Sequence, residues 1–108
     1  MRLYHNPRCS KSRQALALLQ ANGTKVEIYR YLEEGIAEED LSLLASLQGI
    51  VRKGDAGREV MASLNSVEDV EALLKHQPRL LERPVLICDG HAVIGRPPED
   101  VLRLVAKE

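Results

Sequence analysis

The side chains in this sequence best suited to do chemistry gather in the run Tyr4-His5-Asn6-Pro7-Arg8-Cys9-Ser10-Lys11-Ser12-Arg13. A short apolar lead enters the run and a Leu/Ala-rich helical pattern leaves it, so Cys9 falls where a first strand ends and a first helix begins. At such a point backbone N–H groups lack partners within the helix, and the positive end of the helix dipole faces outward. A thiol placed there ionises more readily, and the thiolate is the nucleophilic form. Arg8, Lys11, Arg13 and His5 add positive charge, fixed or potential, within a few residues. The run predicts a reactive Cys9 of lowered pKa, with His5 favouring the thiolate by charge or hydrogen bonding. The plainer alternatives are a small buried thiol and a surface loop histidine.

Two arginines form a second constellation. Arg83 directly precedes Pro84 and Arg96 directly precedes Pro97, which restricts both arginines to extended backbone. Residues 84–88 read as a strand, Asp89-Gly90 as a two-residue hairpin turn, and His91-Ala92-Val93-Ile94 as the returning strand. Arg83 and Arg96 then stand at near-opposite ends of paired strands, where they could form one doubly basic oxyanion pocket. Guanidinium forks suit that work because they match tetrahedral oxyanions and keep their charge. Two solvated surface arginines are the alternative. Arg52, within Arg52-Lys53-Gly54-Asp55, reads from its own surroundings as part of a solvated basic turn.

Other chemistries find little support. The two cysteines and three histidines lack the paired spacing of a zinc site, and no phosphate-loop or dinucleotide glycine pattern occurs. Ser12, not cysteine, stands three positions after Cys9, which excludes a local dithiol. Cys88 lies further along its strand from Pro84, roughly 13 Å at strand rise, whereas a disulfide needs Cα atoms within about 7 Å. Cys88 is therefore expected to be a structural thiol.

The elements that must position these groups fit one domain over residues 1–108, with a core of Leu, Val, Ile and Ala because Phe and Trp are absent. Its 15 basic and 16 acidic side chains nearly cancel, which argues against nucleic-acid or polybasic membrane binding. No apolar run approaches the ~20 residues of a membrane span. The start lacks a signal-peptide core, and two cysteines suit a reducing cytoplasm, so a cytoplasmic monomer is expected.

Arg2-Leu3-Tyr4 can form a first strand. Residues 10–22 form a helix with Ala15, Leu16, Leu18 and Leu19 as its stripe, and residues 25–32 form a second strand, parallel to the first. Glu38-Glu39-Asp40 opens a helix bearing Leu41, Leu44 and Leu47. Residues 50–57 read as a basic connection and residues 58–64 as a short helix. Ser66 caps another helix, with Asp69 three residues on and Val67, Val70, Leu73 and Leu74 inward, closing at His76-Gln77-Pro78. Residues 36–81 thus make a helical insertion between the second and third strands. Pro98, Glu99 and Asp100 start a last helix with Val101, Leu102 and Val105 on its apolar face. The order predicts an α/β sandwich around a small mixed sheet of four strands.

Taken together, the run from Tyr4 to Arg13, then Glu82-Arg83-Pro84-Val85, then Ile94-Gly95-Arg96-Pro97-Pro98-Glu99, strongly resembles the glutaredoxin-dependent arsenate reductase (ArsC) family. Order and spacing match across essentially the whole chain. The resemblance implies a thioredoxin-like fold with a helical insertion, and Arg83–Pro84 as the cis-proline corner of that fold. It also implies Cys9 as nucleophile, His5 as the residue favouring its thiolate, and Arg83 and Arg96 as arsenate-binding arginines. A third family arginine lies in a stretch that Arg52-Lys53 resembles. The segment before Arg52 is shorter than in the arsenate reductases, which leaves Arg58 as the alternative. No bound cofactor or metal is implied; glutathione and glutaredoxin serve as outside reductants. Two rival functions share the fold: a thiol-redox protein of the family acting on another substrate, and an Spx-type regulator that binds RNA polymerase. Such regulators commonly carry Cys-x-x-Cys, where this chain has Ser12.

Overall fold

A computed structural model describes residues 1–105 of the chain. Four strands, β1 (Arg2–Tyr4), β2 (Glu27–Tyr29), β3 (Val85–Cys88) and β4 (His91–Ile94), form one sheet in the order β2-β1-β3-β4. β1 and β2 are parallel, joined through helix α1 (Ser10–Ala21), and the other two pairings are antiparallel. Asp89 and Gly90 turn the β3–β4 hairpin with φ of 49° and 77°, the paired positive values that a two-residue primed turn requires.

β2 is shorter than the sequence predicts. The chain leaves the strand at Arg30 and winds into α2 (Tyr31–Glu34), which Gly35 ends at φ 78°. Leu32-Glu33-Glu34 are good helix formers with a glycine stop behind them, and they override the β preference of Tyr31.

Side chains alternate across the sheet. Leu3 and Leu86 face one side, against Ala15 and Leu19 of α1 and Val101. Tyr4, Val85 and Ile87 face the other, against the insertion. On α1, Ser12 is fully buried while Leu18 is only half-buried, so a hydroxyl takes part of the stripe expected to be aliphatic.

The insertion consists of α3 (Glu38–Ala45), α4 (Lys53–Ala56), α5 (Arg58–Ala62), α6 (Val67–His76) and a 3₁₀ turn at Pro78–Leu80. Ser66 caps α6 as expected, its Oγ accepting from the Asp69 N–H at 3.2 Å. Leu74 is buried and Val70 and Leu73 pack on the core, but Val67, the first residue of α6, is 44% exposed; it precedes the turns that reach the core. The predicted connection 50–57 is more structured than a basic loop. Ile50 and Val51 are buried, Val51 bridges Leu81, the Arg52 N–H donates to Leu80 O at 2.8 Å, and the Glu82 N–H donates to Ile50 O at 2.6 Å. Asp40 ties the insertion to the sheet: its Oδ2 accepts from Tyr4 Oη and from Arg2 Nη1, both at 2.7 Å. The C-terminal helical segment starts as a 3₁₀ turn, Pro98–Val101, because successive prolines remove amide donors, and continues as α7 (Leu102–Val105). Among the described residues, no helix is long and apolar enough to cross a membrane.

Candidate active site

Strand register fixes the place of the site. Tyr4 pairs with both Tyr29 and Val85, and Val85 pairs with Ile94. Just beyond these pairs, at the same end of the sheet, the chain passes through Asn6, Tyr31, Arg83 and Arg96. The loop from His5 to Cys9 crosses that end, tied down by the His5 N–H on Tyr29 O at 3.0 Å. Within it, the Cys9 N–H donates to Asn6 O and the Arg8 N–H to Asn6 Oδ1, each at 3.0 Å. The Asn6 N–H donates to Ser12 Oγ, also at 3.0 Å. The buried hydroxyl of α1 is therefore the post that holds the loop.

Cys9 is the N-cap of α1, in extended conformation at φ −93° and ψ 123°. Burial pushes its thiol pKa up, but the Ser12 N–H, the Arg83 guanidinium and the Lys11 N–H together outweigh burial and hold it below the ordinary thiol value. The basic neighbours expected to do this do not. The side chains of Arg8, Lys11 and Arg13 are exposed, and Arg13 Nη1 instead donates to Pro7 O at 3.0 Å.

The two Arg–Pro corners meet as the hairpin register requires. Both Arg83–Pro84 and Arg96–Pro97 are cis, the first as the resemblance implied. Arg96 Nη2 lies 3.6 Å from Cys9 Sγ, and Arg96 Nε donates to Arg83 O at 2.9 Å. Glu82, which sequence reasoning passed over, organises the arginines. Its Oε1 accepts from Arg52 Nη1 at 2.6 Å, from the Arg83 N–H at 3.2 Å, and pairs with Arg96 Nε at 3.1 Å. Its only sequence signal is its place in the Glu82-Arg83-Pro84 motif. Arg52 also pairs with Asp55 Oδ2 at 2.8 Å. Arg52 is thus brought to the group, and Arg58 is exposed on α5.

His5 is buried, and its Nδ1 lies 2.7 Å from Ser12 Oγ. Because the hydroxyl oxygen already accepts from Asn6, the O–H is assigned toward Nδ1, which puts the imidazole proton on Nε2. Burial, reinforced by the charges of Arg30 and Arg13, lowers the His5 pKa, so the ring is neutral at pH 7. Of the two expected routes, charge is not available to a neutral His5, and its hydrogen bond goes to Ser12, whose amide faces the thiol.

Cys9 and Cys88 are both thiols, not one disulfide. Cys88 sits beside the hairpin turn, at the other end of β3 from Arg83 and Pro84, with its Sγ 3.7 Å from Asp89 Oδ2. Among the described residues, no three His, Cys, Asp or Glu side chains group as a metal site needs.

Comparison with known proteins bears on family and fold. The ArsC family model matches residues 4–104. Protein YfgD of Escherichia coli (strain K12), described as uncharacterized, is 39% identical, covering 97% of this chain and 96% of its own. An arsenate reductase of Neisseria meningitidis (strain MC58) is 38% identical, covering 94% of each chain. The solved structure of an arsenate reductase from Vibrio cholerae superposes with a TM-score of 0.77 at 35% identity, over 95% of this chain and 97% of the other. With the four-stranded mixed sheet, the helical insertion and a thiol at the head of α1 all in place, the chain belongs to the ArsC family and has its thioredoxin-like fold.

Proposed function

We propose that this protein is a cytoplasmic, glutathione- and glutaredoxin-dependent arsenate reductase. The observation that carries the reading is the thiol of Cys9 at the α1 N-cap with Arg96 Nη2 at 3.6 Å and Arg83 beside it. An ionised nucleophile and fixed cations at one point suit attack on a tetrahedral oxyanion.

In the first step the Cys9 thiolate displaces a hydroxyl of arsenate, which leaves as water after taking a proton. A sulfur–arsenic(V) bond forms and no electrons are transferred. Arg83 and Arg96 hold the charge of the remaining oxygens, with Arg52 joined to them through Glu82. Glutathione adds next as a second sulfur ligand of arsenic, again with loss of water. A glutaredoxin thiolate then attacks the glutathione sulfur. The electron pair of the glutathione–arsenic bond stays on arsenic, reducing it from As(V) to As(III), while a glutaredoxin–glutathione mixed disulfide forms. Water finally releases arsenite and returns Cys9. The second thiol comes from outside, which suits a chain with Ser12 where a local dithiol would need cysteine.

The test is arsenate-dependent NADPH oxidation coupled through glutathione reductase, glutathione and glutaredoxin, with wild type and Cys9→Ser side by side. Turnover by wild type and none above background in the variant is the expected result. A wild-type protein that fails to turn over, yet alkylates rapidly at Cys9 near neutral pH, would keep the reactive thiol and assign it another redox substrate.

A further inference from the structure

Tyr31 opens α2 and is fully buried, its ring 6.0 Å from that of Tyr4 between centroids and packed in the core with Leu80, Leu81 and Val85. Its hydroxyl is buried with the ring, yet has no hydrogen-bond partner among the described residues. One other buried side-chain polar atom shares that condition, Arg83 Nε. Orphaned buried donors are rare in folded proteins, and an unmade partner is a standard explanation for them. Two such donors in one small protein would be unremarkable if they were far apart. They are not: Tyr31 follows β2, Arg83 precedes β3 and Arg96 follows β4, all at the same end of the sheet. The charges that act on the Tyr31 hydroxyl are those of Arg83, Cys9, Arg52 and Glu82, the groups of the candidate active site.

The hydroxyl is in its donor form. Burial pushes its pKa up to about 12, so it keeps its proton at neutral pH. The end of the sheet therefore presents a phenol O–H and the Arg83 Nε–H, both lacking acceptors, beside a thiol that Arg96 already touches. A tetrahedral oxyanion seated against Cys9 supplies several acceptor oxygens at once.

We propose that Tyr31 is a substrate-binding residue whose buried hydroxyl, together with Arg83 Nε, donates a hydrogen bond to an oxygen of a tetrahedral oxyanion bound against Cys9. This deepens the oxyanion-reductase reading and rests on it for the ligand class. A neutral donor complements the arginines because it orders an oxygen without adding charge.

The experiment compares wild type with Tyr31→Phe by three readouts that need no turnover. The first is the concentration of arsenate, or of inorganic phosphate, that half-protects Cys9 from iodoacetamide. It is expected to rise on the order of tenfold in the variant, the effect of losing one hydrogen bond to a charged group. The second is the pH midpoint of Cys9 alkylation without oxyanion, expected to be unchanged. The third is the melting temperature, expected to be unchanged or higher because no hydrogen bond within the protein is lost. Equal protection in both proteins overturns the proposal. So does a shifted alkylation midpoint, which would make Tyr31 a partner of the thiol, or a lowered melting temperature, which would make it structural. Wild type protected by arsenate but unable to reduce it would defeat the reductase reading alone, with the protection ratio still deciding the role of Tyr31. Wild type protected by neither anion would overturn the pocket itself.

Discussion

The Cys9 thiolate is held by two backbone amides and the guanidiniums of Arg83 and Arg96, and these differ in how they answer to mutation. Amides of the first helical turn stay as long as α1 stays, whereas the Arg83 contribution can be removed alone. The alkylation midpoint of wild-type Cys9 is expected below the ordinary thiol value of about 8.5. Arg83→Ala should move it upward, because the Lys11 and Ser12 amides then oppose burial without the Arg83 guanidinium. A midpoint that does not move would remove Arg83 from the thiolate's support. The same shift acts on stability. Between the folded-state pKa and the ordinary value, the unfolded chain binds a proton at Cys9 that the folded chain does not, so stability rises with pH across that window and is lost as pH falls through the folded-state pKa. The placement of Cys9 was legible in the sequence, because strand, loop and helix patterns met there. The agents acting on it were not. Basic side chains nearby in sequence point into solvent, and backbone amides carry no letter of their own.

Gly95 shows the same gap for an element. As Gly95-Arg96-Pro97 it reads as a strand breaker, but its φ is not among the positive values and its role is contact. A Cβ there would stand 2.7 Å from Pro84 Cγ and 2.9 Å from Val101 Cγ1, and the Gly95 N–H donates to Pro84 O at 2.8 Å. The hairpin end is thus packed to backbone thickness between the first Arg–Pro corner and the C-terminal 3₁₀ turn. Gly95→Ala should force Pro84 or Val101 aside and cost about 1–3 kcal/mol, the usual effect of overpacking. Denaturant unfolding would read the loss, and turnover should fall with it because Arg83 and Arg96 flank the displaced residues. A variant as stable and active as wild type would mean that the contact relaxes freely. At β2 the difficulty was competition between signals. Tyr29 and Tyr31 favour a strand, Leu32-Glu33-Glu34 with the Gly35 stop favour a helix, and the helix signal sets the boundary at Arg30. That boundary sets where Tyr31 enters the core.

Across the whole molecule the sheet separates two packed layers, and the site draws on both. Cys9 belongs to the layer of α1, while Arg52 arrives from the insertion on the other face. Helix order and the hairpin were readable from periodicity, capping and the Asp89-Gly90 turn. What the pattern could not supply was the joint between insertion and sheet, because the Val51–Leu81 bridge is a single pairing and Asp40 is one acid among three at the start of α3. That joint predicts separable functions. Asp40 Oδ2 accepts from both Tyr4 Oη and Arg2 Nη1, and burial leads the causes that keep the Tyr4 proton on as a donor, with the Asp40 hydrogen bond next. Asp40→Ala leaves the buried Tyr4 hydroxyl without its acceptor and should lower stability by about 1–3 kcal/mol. The insertion then sits less firmly on the sheet, so Arg52 loses order while Glu82 keeps its contacts with Arg83 and Arg96, and the KM for arsenate should rise. Nothing in that chain of contacts reaches the amides of Lys11 and Ser12, which lie at the head of α1. The pH midpoint of Cys9 alkylation should therefore stay where wild type has it. A midpoint that moved with the KM would mean that thiol and arginines form one cooperative unit across the sheet.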